Sequence, residues 1–307
     1  MNRPRTVFRP LDGILLLDKP AGMSSNQALQ RVRHLFRAEK AGHTGSLDPL
    51  ATGLLPVCFG EATKIAGYLL GSDKAYEVEA CFGTTTDTDD ADGAVLRERP
   101  VPALDRALIE KELPAFVGRI SQRPPIYSAL KQGGEPLYAK ARRGEIIEVA
   151  EREVRVARIE VGHVCANRAH LLVECGTGTY IRSIVRDLGE ALGCGAHVTQ
   201  LRRLWVAPFR DPAMHTLESL QALASNQGEQ ALEAALLPVA AGFEDWSKVV
   251  LDDDQSRRLL QGQAVVMTTT MPLGTLCALG PGQNLLGVAE LHPGGVLRAK
   301  RLFSRQV

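Results

Sequence analysis

The chain has 307 residues, of which 45% are hydrophobic and 23% are charged, and its formal net charge is +1. This length suits two domains, or one large domain with an appendage, and the composition is that of an ordinary globular protein. A net charge this close to zero excludes any inference of nucleic-acid binding from bulk charge alone.

Charge is unevenly distributed along the chain. Residues 1–48 contain eight Lys or Arg against four Asp or Glu, whereas residues 211–254 contain one against nine. Basic and acidic side chains are therefore expected to segregate to different faces, as in an RNA groove with a distant acidic flank. Solvated faces without a partner give the same pattern, so both interpretations stay open.

Cysteine usage and the N-terminus favour a reducing compartment. The six cysteines include no CxxC pair, so the sequence indicates neither a disulfide framework nor a zinc site. Arg3 and Arg5 precede an apolar stretch that covers only residues 14–17, which is too short for a signal peptide core or a membrane span. We expect a cytoplasmic protein.

The first third of the chain alternates between strand and helix patterns. Apolar runs at residues 13–17 and 54–59 predict buried strands, and the alternation of residues 74–82 predicts a third. Ser24 or Ser25 is placed to cap a helix whose apolar residues follow helical spacing. Further helices are predicted at residues 61–70, 102–117 and 216–235.

Residues 84–93 read TTTDTDDADG, which raises the question of a calcium-binding loop. In EF-hand spacing, with Gly93 at the sixth position, Thr88 takes the first position and Arg99 the twelfth, where acids are required. The pattern therefore predicts a solvated acidic turn.

Residues 118–153 differ in composition from the segments around them. Prolines, aromatic residues and bases interleave there, beginning with Arg123-Pro124-Pro125. This composition favours a mobile RNA-gripping insertion, with a plain surface excursion as the alternative.

A glycine turn at residues 176–180 follows a predicted hairpin of strands and opens a helix. A strand, a glycine turn and a helix also begin a dinucleotide-binding fingerprint, but the third glycine is replaced by Ile181. We therefore reject the fingerprint. A nucleotide-cofactor oxidoreductase remains as a third hypothesis, which would be dismissed if the protein binds neither NAD(P) nor flavin. Residues 193–205 suit another central strand.

The stretch from Gly42 to Gly53 reads GHTGSLDPLATG. Pro49 pushes the backbone of Asp48 toward extended or turn conformations, and the glycines allow tight turns. We expect a stiff loop that presents one carboxylate. Taken alone, the stretch is more typical of an ordinary surface turn.

Five separated blocks together resemble the TruB-type tRNA pseudouridine synthases. The blocks are LLLDKPAGMSSN, AGHTGSLDPLATG, DKAYEVE, GTYIRSIVRDLG and GCGAHVTQLRRL. Their order and spacing match the family over nearly the whole chain. The resemblance implies an enzyme that isomerises uridine to pseudouridine at position 55 of the tRNA T-loop, with no cofactor and no metal.

The resemblance also implies roles for particular residues. It makes Asp48 the nucleophile, places Arg182 beside it, and stacks Tyr76 on the target base. An arginine within salt-bridge reach opposes the rise in carboxylate pKa that burial causes. The base must leave its stack to reach the acid. The other residues implied in substrate binding are His43, Tyr180 and Leu201.

The implied partner is tRNA, held by its T-stem and T-loop and read mostly by shape. We expect the protein to be a monomer. Its binding to tRNA should weaken steeply as the salt concentration rises if several basic side chains contact phosphates. The candidate contacts are Lys19, Arg31, Arg33, Lys131, Arg142, Arg143, Arg202 and Arg203.

The fold implied by the resemblance is α+β (mixed α/β), with a central, mostly antiparallel sheet flanked by helices. Residues 1–244 are expected to form the pseudouridine synthase catalytic domain, with the insertion at 118–153. Residues 245–307 are expected to form a small β-rich domain that resembles the PUA domain. The alternative is a non-catalytic RNA-binding protein that retains the synthase fold, and the intact reactive residues argue against it.

Overall fold

The computed structural model describes residues 7–128, 130–145 and 147–304. Arg3 and Arg5 lie outside the described residues, as do the last three residues of the expected C-terminal domain. Within the described ranges, no helix is both long enough and apolar enough to cross a membrane.

Most strands lie in the first two thirds of the chain. They are β1 Gly13–Lys19, β2 Ala41–His43, β3 Thr52–Phe59, β4 Lys74–Phe82, β5 Thr84–Thr86, β6 Val95–Glu98, β7 Gly118–Gln122, β8 Lys131–Gln132, β9 Glu135–Pro136, β10 Arg152–Cys165, β11 Arg168–Cys175 and β12 Ala196–Val206. The strands predicted at residues 13–17, 54–59, 74–82 and 193–205 are all present, each within a few residues of the predicted bounds.

One large sheet contains eight of these twelve strands, while β5 with β6 and β8 with β9 form separate two-stranded sheets. It has eight strands in the order β1-β3-β12-β4-β11-β10-β7, with β2 attached to β3. Its pairings are antiparallel except that of β12 with β3, which is parallel where Arg203 faces Gly53. The prediction of a central, mostly antiparallel sheet is confirmed. Strand β12 lies between β3 and β4, which come much earlier in the sequence. Distant sequence blocks therefore meet at the middle of the sheet.

Seven α-helices and four short 3₁₀ segments accompany the sheets within the described residues. The α-helices are α1 Ser25–Leu35, α2 Ala66–Leu70, α3 Arg106–Glu112, α4 Leu137–Arg142, α5 Ile181–Ala191, α6 Leu217–Glu233 and α7 Asp253–Leu260. The 3₁₀ segments are Gly60–Lys64, Leu113–Phe116, Val239–Phe243 and Pro281–Gln283.

Helix α1 begins where the sequence predicts. Ser24 is the N-cap: its side chain accepts from the backbone N–H of Gln27, whose own side chain accepts from the N–H of Ser24 at 2.8 Å. This capping box satisfies donors that the first turn leaves unpaired. Ser25 is thereby free to bond elsewhere.

Three predicted helices are interrupted. The helix expected at residues 216–235 forms α6 but has a non-helical backbone at Gly228. The helix expected at residues 61–70 divides at Ile65 into a 3₁₀ segment and α2. The helix expected at residues 102–117 starts after its cap Asp105 and gives way to a 3₁₀ segment that contains Pro114, which has no backbone N–H to donate.

The larger buried cluster lies on the face of the sheet that is covered by α1 and α5. Val78 and Ala80 of β4 are fully buried there against Ile184 and Leu188 of α5. Glu77, which alternates with them, is exposed on the opposite face. This alternation fixes which side chains of β4 and β12 turn toward α5.

The expected insertion begins and ends inside the central sheet. Residues 118–122 pair with residues 152–156, so the expected bounds 118–153 include segments of two sheet strands. The part that leaves the sheet carries the β8–β9 hairpin and the six-residue helix α4.

The last part of the chain forms a second sheet, as the predicted β-rich character requires. Its strands are β13 Lys248–Val250, β14 Val265–Val266, β15 Gly274–Leu279, β16 Leu285–His292 and β17 Val296–Leu302, in the order β13-β15-β16-β17-β14. Phe243, Leu285 and Phe303 share one buried apolar cluster with Ile14 and Leu54 of the central sheet. The two sheets are therefore packed together through a continuous apolar contact.

The expected segregation of basic and acidic faces is wrong for the N-terminal segment. Arg9 lies 2.6 Å from Glu229 and 2.7 Å from Glu233 on α6, and Arg37 also pairs with Glu229. The basic segment 1–48 and the acidic segment 211–254 therefore meet at these side chains and neutralise one another.

Candidate active site

The loop between β2 and β3 carries Asp48 and is held from α1. The Oγ of Ser25 accepts from the N–H of Leu47 at 2.7 Å and donates to its carbonyl at 3.1 Å. The N–H of Gly22 donates to the carbonyl of Pro49 at 2.9 Å. Both flanks of Asp48 are thus fixed by hydrogen bonds, which gives this irregular segment a defined backbone.

Lys19 also forms hydrogen bonds to backbone carbonyls, one of them in this loop. Its Nζ donates to the carbonyls of Met23 at 2.7 Å and Pro49 at 3.4 Å, and its side chain is fully buried. Burial lowers the pKa of Lys19 to about 8, although the negative charge of Asp48 opposes that shift. The expectation that Lys19 contacts RNA phosphate is wrong, because its ammonium group is enclosed by protein.

Asp48 and Arg182 form a two-point ion pair. Nε of Arg182 lies 2.9 Å from Oδ2 of Asp48, and Nη2 donates to Oδ1 at 3.0 Å. Arg182 occupies the first turn of α5, which follows β11 across the glycine turn. The Arg182 side chain is 4% exposed and that of Asp48 is 35% exposed, so the carboxylate faces the open side of the pair.

The electrostatics of Asp48 are balanced between opposing effects. Burial raises the pKa of its carboxyl group, and the neighbouring charge of Asp90 raises it further. Arg182 opposes this rise most strongly, and Lys19 adds a smaller effect in the same direction. The net result is a carboxyl group whose pKa lies above its ordinary value, which makes the ionised form more basic than a surface aspartate.

Arg182 has partners on its other side as well. Its Nη1 donates to the carbonyl of Thr88 at 2.7 Å and lies 3.2 Å from Oδ2 of Asp90. Its Nη2 also donates to the carbonyl of Tyr127 at 2.9 Å. The guanidinium is therefore held on several sides, and only its edge toward Asp48 faces the open cavity.

The acidic turn at residues 84–93 is solvated only in part: Asp92 is exposed, as the sequence led us to expect, but Asp89 and Asp90 are paired with arginines. Asp90 is 5% exposed and faces Arg182, and Asp89 lies 2.9 Å from Nη1 of Arg186 on α5. An acidic run normally predicts a solvated turn. Nothing local in the sequence indicates that the two arginines of α5, more than ninety residues away, provide counter-charges.

The predicted site residues lie around one cavity of about 470 Å³. This cavity is lined by all six of the residues proposed for the reaction or the base, namely His43, Asp48, Tyr76, Tyr180, Arg182 and Leu201. The glycine turn at 176–180 forms part of its wall. Four separate sequence blocks therefore meet at one hollow.

Three side chains define the shape of this cavity. Tyr76 of β4 and Leu201 of β12 are 8% and 7% exposed, and they project from the same face of adjacent strands. Burial raises the pKa of the Tyr76 phenol. Tyr180 is the N-cap of α5, and its ring centroid lies 5.0 Å from the guanidinium of Arg152.

The backbone of Tyr180 is fixed by Gln122. The N–H of Tyr180 donates to Oε1 of Gln122 at 2.8 Å, and Nε2 of Gln122 donates to the carbonyl of Tyr180 at 3.0 Å. Gln122 ends β7, so the root of the insertion is joined to the cavity wall. Sequence reasoning missed both Gln122 and Arg152, because neither lies in a recognisable block.

His43 lies at the rim, at the end of β2. Its Nδ1 accepts from the N–H of Gly45 at 3.4 Å. Burial and the positive charge of Arg203 lower the pKa of His43, so the ring is neutral at neutral pH. A neutral ring suits a position against nucleobases better than a cation that would need a counter-ion.

The remaining basic candidates differ in their availability. Arg203 is 1% exposed and bonded to the backbone, so the expectation that it contacts phosphate is wrong. Arg202 faces the opposite side of the sheet and pairs with Asp18 at 2.7 Å. Arg33 donates to the carbonyls that follow α1, and Arg143 pairs with Glu135 and Glu145. Among the described residues, the candidates that are exposed and have no ion pair are Arg31, Lys131 and Arg142.

The described residues contain no group of three or more His, Cys, Asp or Glu side chains arranged to hold a metal ion. The cavity instead combines one carboxylate with arginine, lysine, tyrosine and leucine side chains. A concave site that brings a carboxylate of shifted pKa together with convergent polar groups is typical of an enzyme active site.

Comparison with known proteins identifies that class more narrowly. Residues 33–181 match the TruB family pseudouridylate synthase N-terminal domain. Residues 182–244 match the tRNA pseudouridylate synthase B C-terminal domain, and residues 247–303 match the C-terminal region of pseudouridine synthase II TruB. The chain belongs to the TruB family of pseudouridylate synthases, as its sequence blocks predicted. It is therefore an enzyme that isomerises uridine to pseudouridine.

Relatives match over nearly the full length. The chain is 59% identical to tRNA pseudouridine synthase B of Xanthomonas axonopodis pv. citri, covering 98% of this chain and 97% of the relative. It is 54% identical to the Xylella fastidiosa protein of that name, with 98% of each chain covered. Among solved structures, a Cbf5-Nop10-Gar1 complex contains a similar chain with a TM-score of 0.75 and 25% identity, covering 98% of this chain and 91% of that one.

Proposed function

We propose that this enzyme converts uridine 55 in the T-loop of tRNA to pseudouridine, with Asp48 as the reacting carboxylate. The observation that carries the proposal is the Asp48–Arg182 pair, which faces a cavity shared with Tyr76, Tyr180 and Leu201. The relatives named tRNA pseudouridine synthase B support tRNA as the substrate.

The reaction needs one ionised acid in a sheltered site. The C1′–N1 glycosidic bond breaks, the uracil turns, and a C1′–C5 bond forms in its place. Asp48 either attacks C1′ or removes the 2′ proton, and both routes begin from the ionised carboxylate. Burial makes that carboxylate more basic, while Arg182 keeps it ionised and oriented.

The base must leave the T-loop to reach Asp48. Extrusion costs a few kcal/mol, which contacts in the pocket have to offset. Tyr76 stacks on the uracil, Leu201 and Tyr180 close the walls, and His43 occupies the space that the base leaves. The neutral state of His43 favours this position among nucleobases.

The rest of the chain is proposed to hold the tRNA as a monomer. Two exposed basic side chains of the protruding segment, Lys131 and Arg142, would contact the phosphate backbone beside the cavity. Residues 1–244 act as the catalytic domain. Residues 245–307 form a PUA-like domain that packs against it. Binding of tRNA through these basic side chains should weaken as the salt concentration rises.

Release of tritium from C5-labelled uridine in a T-loop stem-loop tests the proposal. The wild-type protein should release tritium without added metal or coenzyme, and Asp48→Asn should abolish release while it retains RNA binding. Asn preserves the shape of the side chain but can neither ionise nor accept the proton. Substantial turnover by Asp48→Asn would show that another group performs the chemistry.

A label at a second uridine tests which position is modified separately from whether the protein is an isomerase. A stem-loop whose uridine 55 is replaced by cytidine, with label at another loop uridine, should release no tritium. Release from the second uridine would retain the isomerase but refute the assignment to position 55.

A further inference from the structure

Arg203 is a buried cation beneath the loop that carries Asp48. It lies on β12, with Gly53 of β3 and Tyr76 of β4 as its neighbours in the sheet. Its Nε donates to the carbonyl of Leu54 at 2.7 Å, and its Nη2 donates to the carbonyl of Gly45 at 3.1 Å. Arg203 nevertheless lines the cavity.

Lys74 is a second buried cation on the same wall. It begins β4, is 6% exposed, and donates through Nζ to the carbonyls of Leu70, at 3.0 Å, and Ser72. Burial and the positive charge of Arg203 together lower the pKa of Lys74 to about 8. The two cations thus act on one another inside a single hollow.

Neither cation has an ionic partner among the described residues. The carboxylates nearby are engaged elsewhere: Asp48 pairs with Arg182, and Asp73 lies 3.6 Å from Arg155. Burying a charge without a counter-ion is unfavourable, so a wall that holds two cations is suited to a bound group with negative charge.

The reaction produces such a group. When the C1′–N1 bond breaks, its electron pair stays on N1 and spreads onto O2 and O4, so the detached uracil is an anion. If Asp48 has attacked, its carboxylate has become an ester at C1′; if it has taken the 2′ proton, it has become a neutral acid. In both routes the negative charge of Asp48 is transferred to the uracil ring.

We propose that Arg203 and Lys74 are catalytic residues that stabilise the anionic uracil between cleavage of the C1′–N1 bond and formation of the C1′–C5 bond. This rests on the proposed isomerisation and adds the groups that bear the charge of the leaving base. The charge is lost when C5 bonds to C1′, the C5 proton leaves and N1 gains a proton, so product is held less tightly than the intermediate.

Substrates with different leaving groups test this assignment. Single-turnover consumption of the target nucleoside is measured in two stem-loops, one with uridine and one with 5-fluorouridine at the target position. Fluorine withdraws electrons from the ring and stabilises the N1 anion without help from the protein. Arg203→Met and Lys74→Met should each slow the uridine substrate about 100-fold and the fluorinated one about tenfold or less.

The controls separate charge from structure. Arg203→Lys keeps the charge but loses the two-point hydrogen bonding, so the ratio of the two substrate rates should stay at the wild-type value. Arg168→Met removes a half-exposed arginine on the opposite face of the sheet and should change neither rate. Circular dichroism reports folding, and Lys74→Met carries the comparison if Arg203→Met does not fold.

The outcomes distinguish the two levels of the proposal. Equal losses on both substrates in Arg203→Met and Lys74→Met would show that these cations only hold the backbone of the pocket, which overturns the inference. Failure of the wild-type protein to convert either substrate would instead refute the proposed isomerisation itself.

Discussion

Arg182 contacts both carboxylate oxygens of Asp48, with its Nε 2.9 Å from Oδ2 and its Nη2 donating to Oδ1 at 3.0 Å. The two residues are 134 positions apart in the sequence. Only the Nη2 contact is a hydrogen bond, and Nε adds a close ionic contact to the second oxygen, so the carboxylate is held at two points. The arginine is buried and the aspartate faces the cavity, so the pair orients the acid toward a substrate rather than toward solvent.

Replacing this arginine should impair chemistry more than binding. Arg182→Lys retains a charge but has one ammonium group in place of the two nitrogens that contact the carboxylate. We expect single-turnover catalysis to fall by about 100-fold, since misplacement of a reacting group by 1 Å has an effect of that order. The dissociation constant for the T-loop stem-loop, measured by filter binding, should change little.

The same variant should alter the pH dependence. Arg182 lowers the pKa of Asp48 against the effect of burial, so weakening the pair should raise that pKa and move the acidic limb of the rate profile to higher pH. An unchanged acidic limb would mean that Asp48 does not limit the rate at low pH.

Asp90 should act through Arg182. It lies 3.2 Å from Nη1 of that arginine, on the side away from Asp48. Asp90→Asn should therefore lower the single-turnover rate by roughly tenfold to 100-fold through misplacement of the pair. Asp92→Asn, in the exposed part of the same turn, is the matched control and should leave the rate unchanged. Equal rates in both variants would exclude a positioning role for Asp90.

Adjacent serines at the start of α1 should have different effects. Ser24→Ala removes the helix cap and should cost about 1 kcal/mol of unfolding free energy without loss of activity. Ser25→Ala leaves the buried N–H and carbonyl of Leu47 unpaired, at a cost of about 1–3 kcal/mol. It should also lower the catalytic rate.

Urea unfolding and single-turnover rates on both serine variants check this prediction. The contrast depends on activity, because both variants are expected to lose stability. A fully active Ser25→Ala protein would show that the backbone around Leu47 does not need this hydrogen bond to keep Asp48 in place.

The raised pKa of Asp48 also predicts how stability depends on pH. Between the ordinary aspartate pKa of about 3.9 and the higher value in the fold, the native state binds more protons than the unfolded state. Stability is therefore lost as pH rises through that window. Asp48→Asn avoids the loss, so it should melt at a higher temperature than wild type at pH 8.

Thermal melts at pH 4 and pH 8 measure this difference. The advantage of Asp48→Asn should shrink toward pH 4, because the wild-type carboxyl group takes up its proton as pH falls through its raised pKa. A lower melting temperature for Asp48→Asn at pH 8 would mean that the ion pair with Arg182 outweighs the cost of burial.

Local sequence determined the secondary structure and the block that carries Asp48. Alternation placed β4, glycine and proline placed the loop at residues 42–53, and a capping serine placed the start of α1 within one residue. These features depend on neighbours in the chain, and so their physical causes are visible in the sequence.

Only the tertiary structure decided which charges are buried and which partners they have. Lys19 and Arg203 look like RNA contacts in sequence, and Asp90 looks solvated, yet all three are enclosed. Because β12 enters between β3 and β4, and α5 packs across that sheet, charges separated by tens to more than a hundred residues meet. Composition and periodicity describe a residue and its near neighbours, whereas desolvation and ion pairing depend on the side chains that folding brings around it.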